Sequence, residues 1–147
     1  MKPYLHQHLR FNLENEFGET SIVCELSNTN AREYIYLQSH EDFTLEEVKE
    51  SMTKYLELLD LTQCQHLIID TRGFVGEWDL LNDCLESELN HAKEKGLKYC
   101  AHIVPRDMAR SVAMIEAKDS FSKNHISYEA FTGAATAVGW LEICDKV

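Results

Sequence analysis

Positive charge is scarce in this sequence. Lysine and arginine together number 14, aspartate and glutamate number 25, and the formal net charge is −11. A chain with this charge repels the phosphate backbone of DNA or RNA unless a local basic patch offsets the field. No long basic run is present, so we expect no nucleic-acid partner.

Long hydrophobic runs are also missing. No stretch approaches the ~18 continuous apolar residues of a membrane span, and the opening residues lack the apolar core of a secretory signal. We therefore expect no membrane span and a cytoplasmic location.

Motifs that hold metals or cofactors are absent as well. The five cysteines form no C-x-x-C pair, and their odd number argues against a disulfide framework or a zinc knuckle. The sequence contains no G-x-G-x-x-G, P-loop or G-x-S-x-G motif. We expect all five thiols to be buried as small apolar groups, and we expect no metal and no cofactor.

What is present is typical of one globular domain. The chain has 147 residues with 44% hydrophobic and 27% charged side chains, which predicts a single domain over residues 9–147 after a short lead-in at 1–8. No repeat or linker interrupts it.

Apolar periodicity predicts strands first, then alternating helices and strands. The predicted strands span residues 9–15, 20–26, 33–38, 66–70, 98–104 and 126–131. The predicted helices begin at a Thr44–Glu47 capping box, near Glu77, after an Asp107 cap and after a Thr132 cap. This order predicts an α/β fold, in which a mixed sheet has antiparallel N-terminal strands, parallel C-terminal β-α units and about four packed helices.

Three segments of this pattern resemble SpoIIAA-like domains, the fold of the STAS domains and the STAS/SEC14-like bacterial domains. The segments are Leu67-Ile68-Ile69-Asp70-Thr71-Arg72-Gly73-Phe74, Tyr99 to Val104, and Ser127 to Leu141. The resemblance implies a SpoIIAA-like fold and a non-enzymatic regulatory or ligand-binding role in signalling.

The resemblance also implies a phosphorylated serine at the start of the helix after the central strand. Here the matching position is Asp79, and no serine or threonine lies between Arg72 and Asn82. The usual STAS phosphoserine switch is therefore predicted to be absent. A carboxylate at a helix start is favourable there, although it can also stand in for a phosphate.

Parallel strands of an open sheet build binding sites beyond their carboxyl ends. Here those ends are followed by residues 70–78 and 105–110, which we name the rim. The predicted binding residues are Asp70, Thr71, Arg72, Gly73, Phe74, Trp78, Asp79, Arg106, Asp107 and Arg110. The expected ligand is a protein partner or a small anionic molecule, held by Arg72, Arg106 and helix N-termini.

Three alternatives remain open at this stage. The rim arginines can instead pair with Asp70, Glu77 and Asp107. An apolar pocket between helices and sheet can take a lipid or another hydrophobic molecule, as the SEC14-like resemblance implies. Finally, Cys100 and His102 share one face of a strand, with His66 on its neighbour, so an unrecognised enzyme is the third alternative.

A helical stripe of Met108, Val112 and Ile115 follows the second rim segment. It fits a core, and if the sheet is already covered it fits a symmetric homodimer or a lipid-like ligand instead.

Overall fold

A computed structural model describes residues 10–15, 17–28, 33–39 and 42–144. The expected lead-in at residues 1–8 lies outside these residues. The strands are β1 Arg10–Glu14, β2 Thr20–Asn28, β3 Glu33–Ser39, β4 His66–Asp70, β5 Tyr99–Ile103 and β6 Ser127–Phe131. The helices are α1 Leu45–Thr62, α2 Trp78–Glu94, α3 Val112–Lys123 and α4 Ala134–Ile143.

All six strands form one sheet in sequential order, from β1 to β6. β1, β2 and β3 pair antiparallel, whereas β3, β4, β5 and β6 pair parallel. The predicted mixed sheet is therefore confirmed.

Helices cover the sheet unequally. The larger apolar core lies on the face covered by α1, α2 and α3, and includes Leu67, Ile69 and Cys100. The smaller core lies on the opposite face under α4, around Ile68, Ala101 and Leu141. Because successive strand residues alternate between faces, β4 and β5 are buried on both sides.

Helix α1 begins as its sequence predicts. The Thr44 hydroxyl accepts a hydrogen bond from the Glu47 N–H, and the Glu47 carboxylate accepts one from the Thr44 N–H at 3.2 Å. This capping box satisfies two groups at the helix start. Val48, Met52, Tyr55 and Leu59 then reach the core.

Two predicted helix caps are wrong. Asp107 does not cap α3, because Ser111 does so by accepting a hydrogen bond from the Met114 N–H at 3.3 Å. Thr132 does not cap α4 either, since Gly133 occupies that position without a side-chain cap.

Two burial expectations are also corrected. The stripe of Met108, Val112 and Ile115 is not core, because Val112 is 67% and Ile115 is 65% exposed. Cys84 and Cys144 are only partly buried, whereas the other three cysteines are buried.

In the ranges that the structure describes, no helix is long and apolar enough to cross a membrane.

Candidate functional site

The rim segments start from neighbouring strands. Asp70 at the end of β4 is in register with Ile103 at the end of β5. The Thr71 N–H donates to the Ile103 carbonyl at 2.9 Å, so the two strands are still joined where the first segment begins. Parallel pairing therefore opens both loops at one edge of the sheet, the carboxyl edge.

Asp70 and Arg72 form a tight ion pair at this edge. The Asp70 carboxylate accepts the Arg72 N–H at 3.0 Å, its Nε–H at 3.1 Å and its Nη2–H at 2.7 Å. The carboxylate is almost completely buried, while the guanidinium is half-exposed. Its hydrogen bonds to Asp70 raise the pKa of Arg72. The pairing alternative therefore holds for Arg72, which is not free to bind an anion by itself.

This pair faces the α4 side of the sheet. Asp70 lies two residues after Ile68, whose side chain belongs to the core under α4, so both side chains share that face. Residues 105–111 instead lead into α3 on the opposite face. The sequence predicts that Arg72 and the second rim segment belong to one site, but the structure places them toward opposite faces of the sheet.

Residues Gly73 to Trp78 form a packed loop. The Phe43 N–H donates to the Gly73 carbonyl at 3.0 Å, and the Val75 N–H donates to the Phe43 carbonyl at 2.8 Å. The Phe74 ring packs between Phe43 and Trp78, with centroid distances of 5.9 and 5.5 Å. Phe74 therefore supports the loop from inside.

Gly76 and Val75 define the outer part of the same loop. Gly76 has φ +151°, and a Cβ there would lie 2.8 Å from the Phe74 ring, so the turn requires glycine. Val75 is 56% exposed and presents an apolar side chain to solvent.

Asp79 lies apart from the rim surface. It is exposed in the first turn of α2, after the N-cap Glu77, which makes no side-chain cap. It lines a groove of about 240 Å³ between α2 and α3. The groove also contains the carboxylates Asp83, Glu86 and Glu116. Asp79 therefore adds to an acidic groove between the helices.

Arg106, Asp107 and Arg110 lie in consecutive turns between β5 and α3. All three are exposed, and none of their side chains forms a hydrogen bond or ion pair with another residue in the described ranges. The pairing alternative therefore does not hold for Arg106 and Arg110.

A buried polar chain lies beneath the rim, and sequence reasoning missed its extent. The Thr71 hydroxyl hydrogen-bonds His102 Nε2 at 2.7 Å, and His102 Nδ1 hydrogen-bonds the Tyr128 hydroxyl. All three side chains are buried. Burial lowers the pKa of His102 to about 4, against a weaker opposing effect of Asp70. The imidazole is therefore neutral near pH 7 and links the residue after β4 to β5 and β6.

The Cys–His alternative finds little support in this geometry. Cys100 is completely buried, and burial raises the pKa of its thiol far above the ordinary value, so a thiolate nucleophile does not form. His66 stacks on Tyr99 at 4.9 Å. It shares the α4 face with Ile68, whereas His102 points to the other face.

The hydrophobic-ligand alternative requires an enclosed apolar cavity large enough for the ligand. Between the sheet, α1 and α2 the enclosed space is about 10 Å³, about enough for one water molecule. An acyl chain does not fit there. Among the described residues, no group of three or more His, Cys, Asp or Glu side chains is placed to hold a metal ion.

Comparison with solved structures identifies the class of fold. The chain is similar to an uncharacterized protein of the DUF3478 family from Shewanella loihica PV-4, whose crystal structure has a SpoIIAA-like fold. The two chains are 19% identical with a TM-score of 0.57, and the match covers 82% of this chain and 94% of that chain. No family model and no curated protein matches the sequence.

The chain therefore has a SpoIIAA-like α/β fold, as the three resembling segments predict. At this level of identity the similarity establishes the fold alone, and function has to be argued from the surface.

Proposed function

We propose that this chain is a non-enzymatic binding domain whose rim docks a protein partner that carries carboxylates. The observation that carries the proposal is the pair Arg106 and Arg110. Both are exposed, and neither is paired with any residue in the described part of the chain.

The surface around these arginines is suited to a protein rather than to a small molecule. Val112, two residues after Arg110, is 67% exposed, and Val75 is exposed at the same edge. Protein interfaces are enriched in arginine and in apolar or aromatic side chains. The pockets described above lie in the α2–α3 groove and in the core, so small-anion binding at the rim has less support.

Site-specific crosslinking tests where a partner docks. A photoreactive phenylalanine analogue in place of Val112 should crosslink to one protein in the native cell. The same analogue in place of Leu61, which is also exposed but lies at the end of α1, serves as the matched control. Equal crosslinking from both positions would count against the rim.

The purified partner then tests the charges. Arg106→Glu with Arg110→Glu should weaken binding at least about tenfold, since each reversal places like charges together. The control Lys49→Glu with Lys54→Glu changes the net charge equally on α1 and should change the affinity less than about twofold. Unchanged binding by the arginine variant would refute the proposal.

A further inference from the structure

The opposite end of the sheet carries a second cationic surface. At the amino ends of β5 and β6, a recess of about 330 Å³ opens between the end of α2 and the loop before β6. Its lining residues are Lys93, Gly96, Leu97, Lys98, Tyr99, His125 and Ser127. We name it the amino-edge recess.

The charged side chains that line this recess are basic, which is unusual in so acidic a chain. Among the residues that the structure describes, no carboxylate lines it, although the chain has 25 acidic residues. The α2–α3 groove, by contrast, is lined by four carboxylates, from Asp79, Asp83, Glu86 and Glu116.

The two lysines of the recess also differ from the other lysines. The structure describes seven lysines, and five of them form ion pairs with carboxylates, at positions 49, 54, 95, 118 and 123. Lys93 and Lys98 are the two described lysines without such a pair. Both residues line the same recess, which therefore contains two lysines that form no ion pair with another described residue.

The remaining lining groups suit a phosphate ester. The His125 imidazole and the Ser127 hydroxyl add hydrogen-bonding groups, and the partly buried Tyr99 ring adds an apolar surface beside them. Backbone N–H groups do not contribute, because those of Lys98, Tyr99 and Ser127 already donate to carbonyls at 2.9 to 3.0 Å. Recognition therefore has to come from side chains.

We propose that the amino-edge recess binds a small organic phosphate. Lys93 and Lys98 would hold the phosphoryl group, and Tyr99 would pack against the organic part. The volume lies within the roughly 300–1,000 Å³ of small-ligand pockets, which exceeds the needs of bare phosphate. The net charge of −11 repels nucleic acids and anionic membranes, while a small ligand responds mainly to the nearest charges. This site is independent of the rim.

Nuclear magnetic resonance provides the test. Titration of the ¹⁵N-labelled protein with methyl phosphate, against potassium chloride of equal ionic strength, should give saturable shifts at the amides of Lys98, Tyr99 and Ser127. Lys93→Met with Lys98→Met should weaken this binding at least about tenfold.

Paired lysines at the same edge supply the control. Lys95→Met with Lys123→Met removes two ammonium groups that already contact Asp60 and Asp119, and it should change the affinity less than about twofold. His125→Asn removes the imidazole, but asparagine tolerates the positive φ of 64° at this position. This variant should therefore weaken binding without unfolding the protein.

Three results would overturn the proposal. One is a response to methyl phosphate no larger than the response to chloride, and another is equal weakening by the two lysine double variants. The third is co-sedimentation with vesicles of phosphatidylcholine and phosphatidic acid without any response to methyl phosphate, since that would assign the lysines to a membrane surface.

Discussion

His102 shows how one buried side chain holds the rim in place. Its two ring nitrogens bond Thr71, the first residue after β4, and Tyr128 in β6. A neutral imidazole accepts one of these hydrogen bonds and donates the other, whereas a charged imidazole is penalised by desolvation at this depth. Protonation should therefore weaken the whole carboxyl edge.

This argument predicts a loss of stability in mild acid. The pKa of His102 is about 4 in the folded chain and about 6.5 when unfolded. Its contribution is therefore complete above pH 6.5 and is lost as the pH falls toward 4. Between about pH 7.5 and about pH 5, the free energy of unfolding in urea should fall by about 2 kcal/mol from this group.

The variant His102→Gln isolates that contribution. It keeps hydrogen-bonding capacity but does not titrate, so its stability should decline less between the same two pH values. An identical decline in both proteins would show that other groups cause the acid sensitivity.

Arg72 shows that the sequence alone does not reveal whether an arginine is paired or free. In sequence it is one of three arginines after two predicted strands, and each can be paired or free. In the structure the nearly buried Asp70 carboxylate takes three hydrogen bonds from Arg72, whereas Arg106 and Arg110 have no such partner in the described ranges. The candidate site thus moves from Arg72 toward the second rim segment.

At the level of secondary-structure elements, the sequence predicts a helix start correctly where the capping side chain and the backbone group that it bonds lie close in sequence. The Thr44–Glu47 capping box of α1 is an example, since both partners are three residues apart. The start of α3 is different, because Asp107 and Ser111 both precede apolar residues. Residues 105–111 form successive turns, with Met108 N–H bonded to Pro105 and Ser111 N–H bonded to Met108, so the helix begins only after Ser111.

Thr44→Ala should destabilise the protein by about 1 kcal/mol, because it removes the acceptor for a helix N–H. Thermal or urea unfolding measures the change. Thr53→Ala is the matched control, since Thr53 is exposed in the middle of α1. Its free energy of unfolding should stay within about 0.5 kcal/mol of that of the parent protein. If the two variants are equally stable, the cap contributes nothing.

On the scale of the whole molecule, three of the described surfaces each carry an excess of one sign of charge. The acidic groove lies between α2 and α3. Within the described part of the chain, the arginines without an ion pair lie at the carboxyl edge, and the lysines without one line the amino-edge recess. Like charges in the groove repel each other and oppose folding of an already acidic chain.

Charge reversal in the groove should therefore stabilise the fold. Glu86→Lys places an ammonium among Asp79, Asp83 and Glu116, and the free energy of unfolding should rise by about 0.5 kcal/mol at low salt. The gain should shrink when sodium chloride is added, because salt screens exposed charges. A gain that does not depend on salt would contradict the electrostatic explanation.

The sequence by itself determined the order of strands and helices, the change from antiparallel to parallel pairing, and the edge at which β4 and β5 open. These follow from local periodicity and from the rules that connect neighbouring elements. Only the tertiary structure decided which cations are neutralised and which histidine is buried between Thr71 and Tyr128. The hydrogen bonds of His102 and the Lys95–Asp60 ion pair join groups more than twenty residues apart in sequence, whereas the Asp70–Arg72 pair depends on the geometry of the turn after β4.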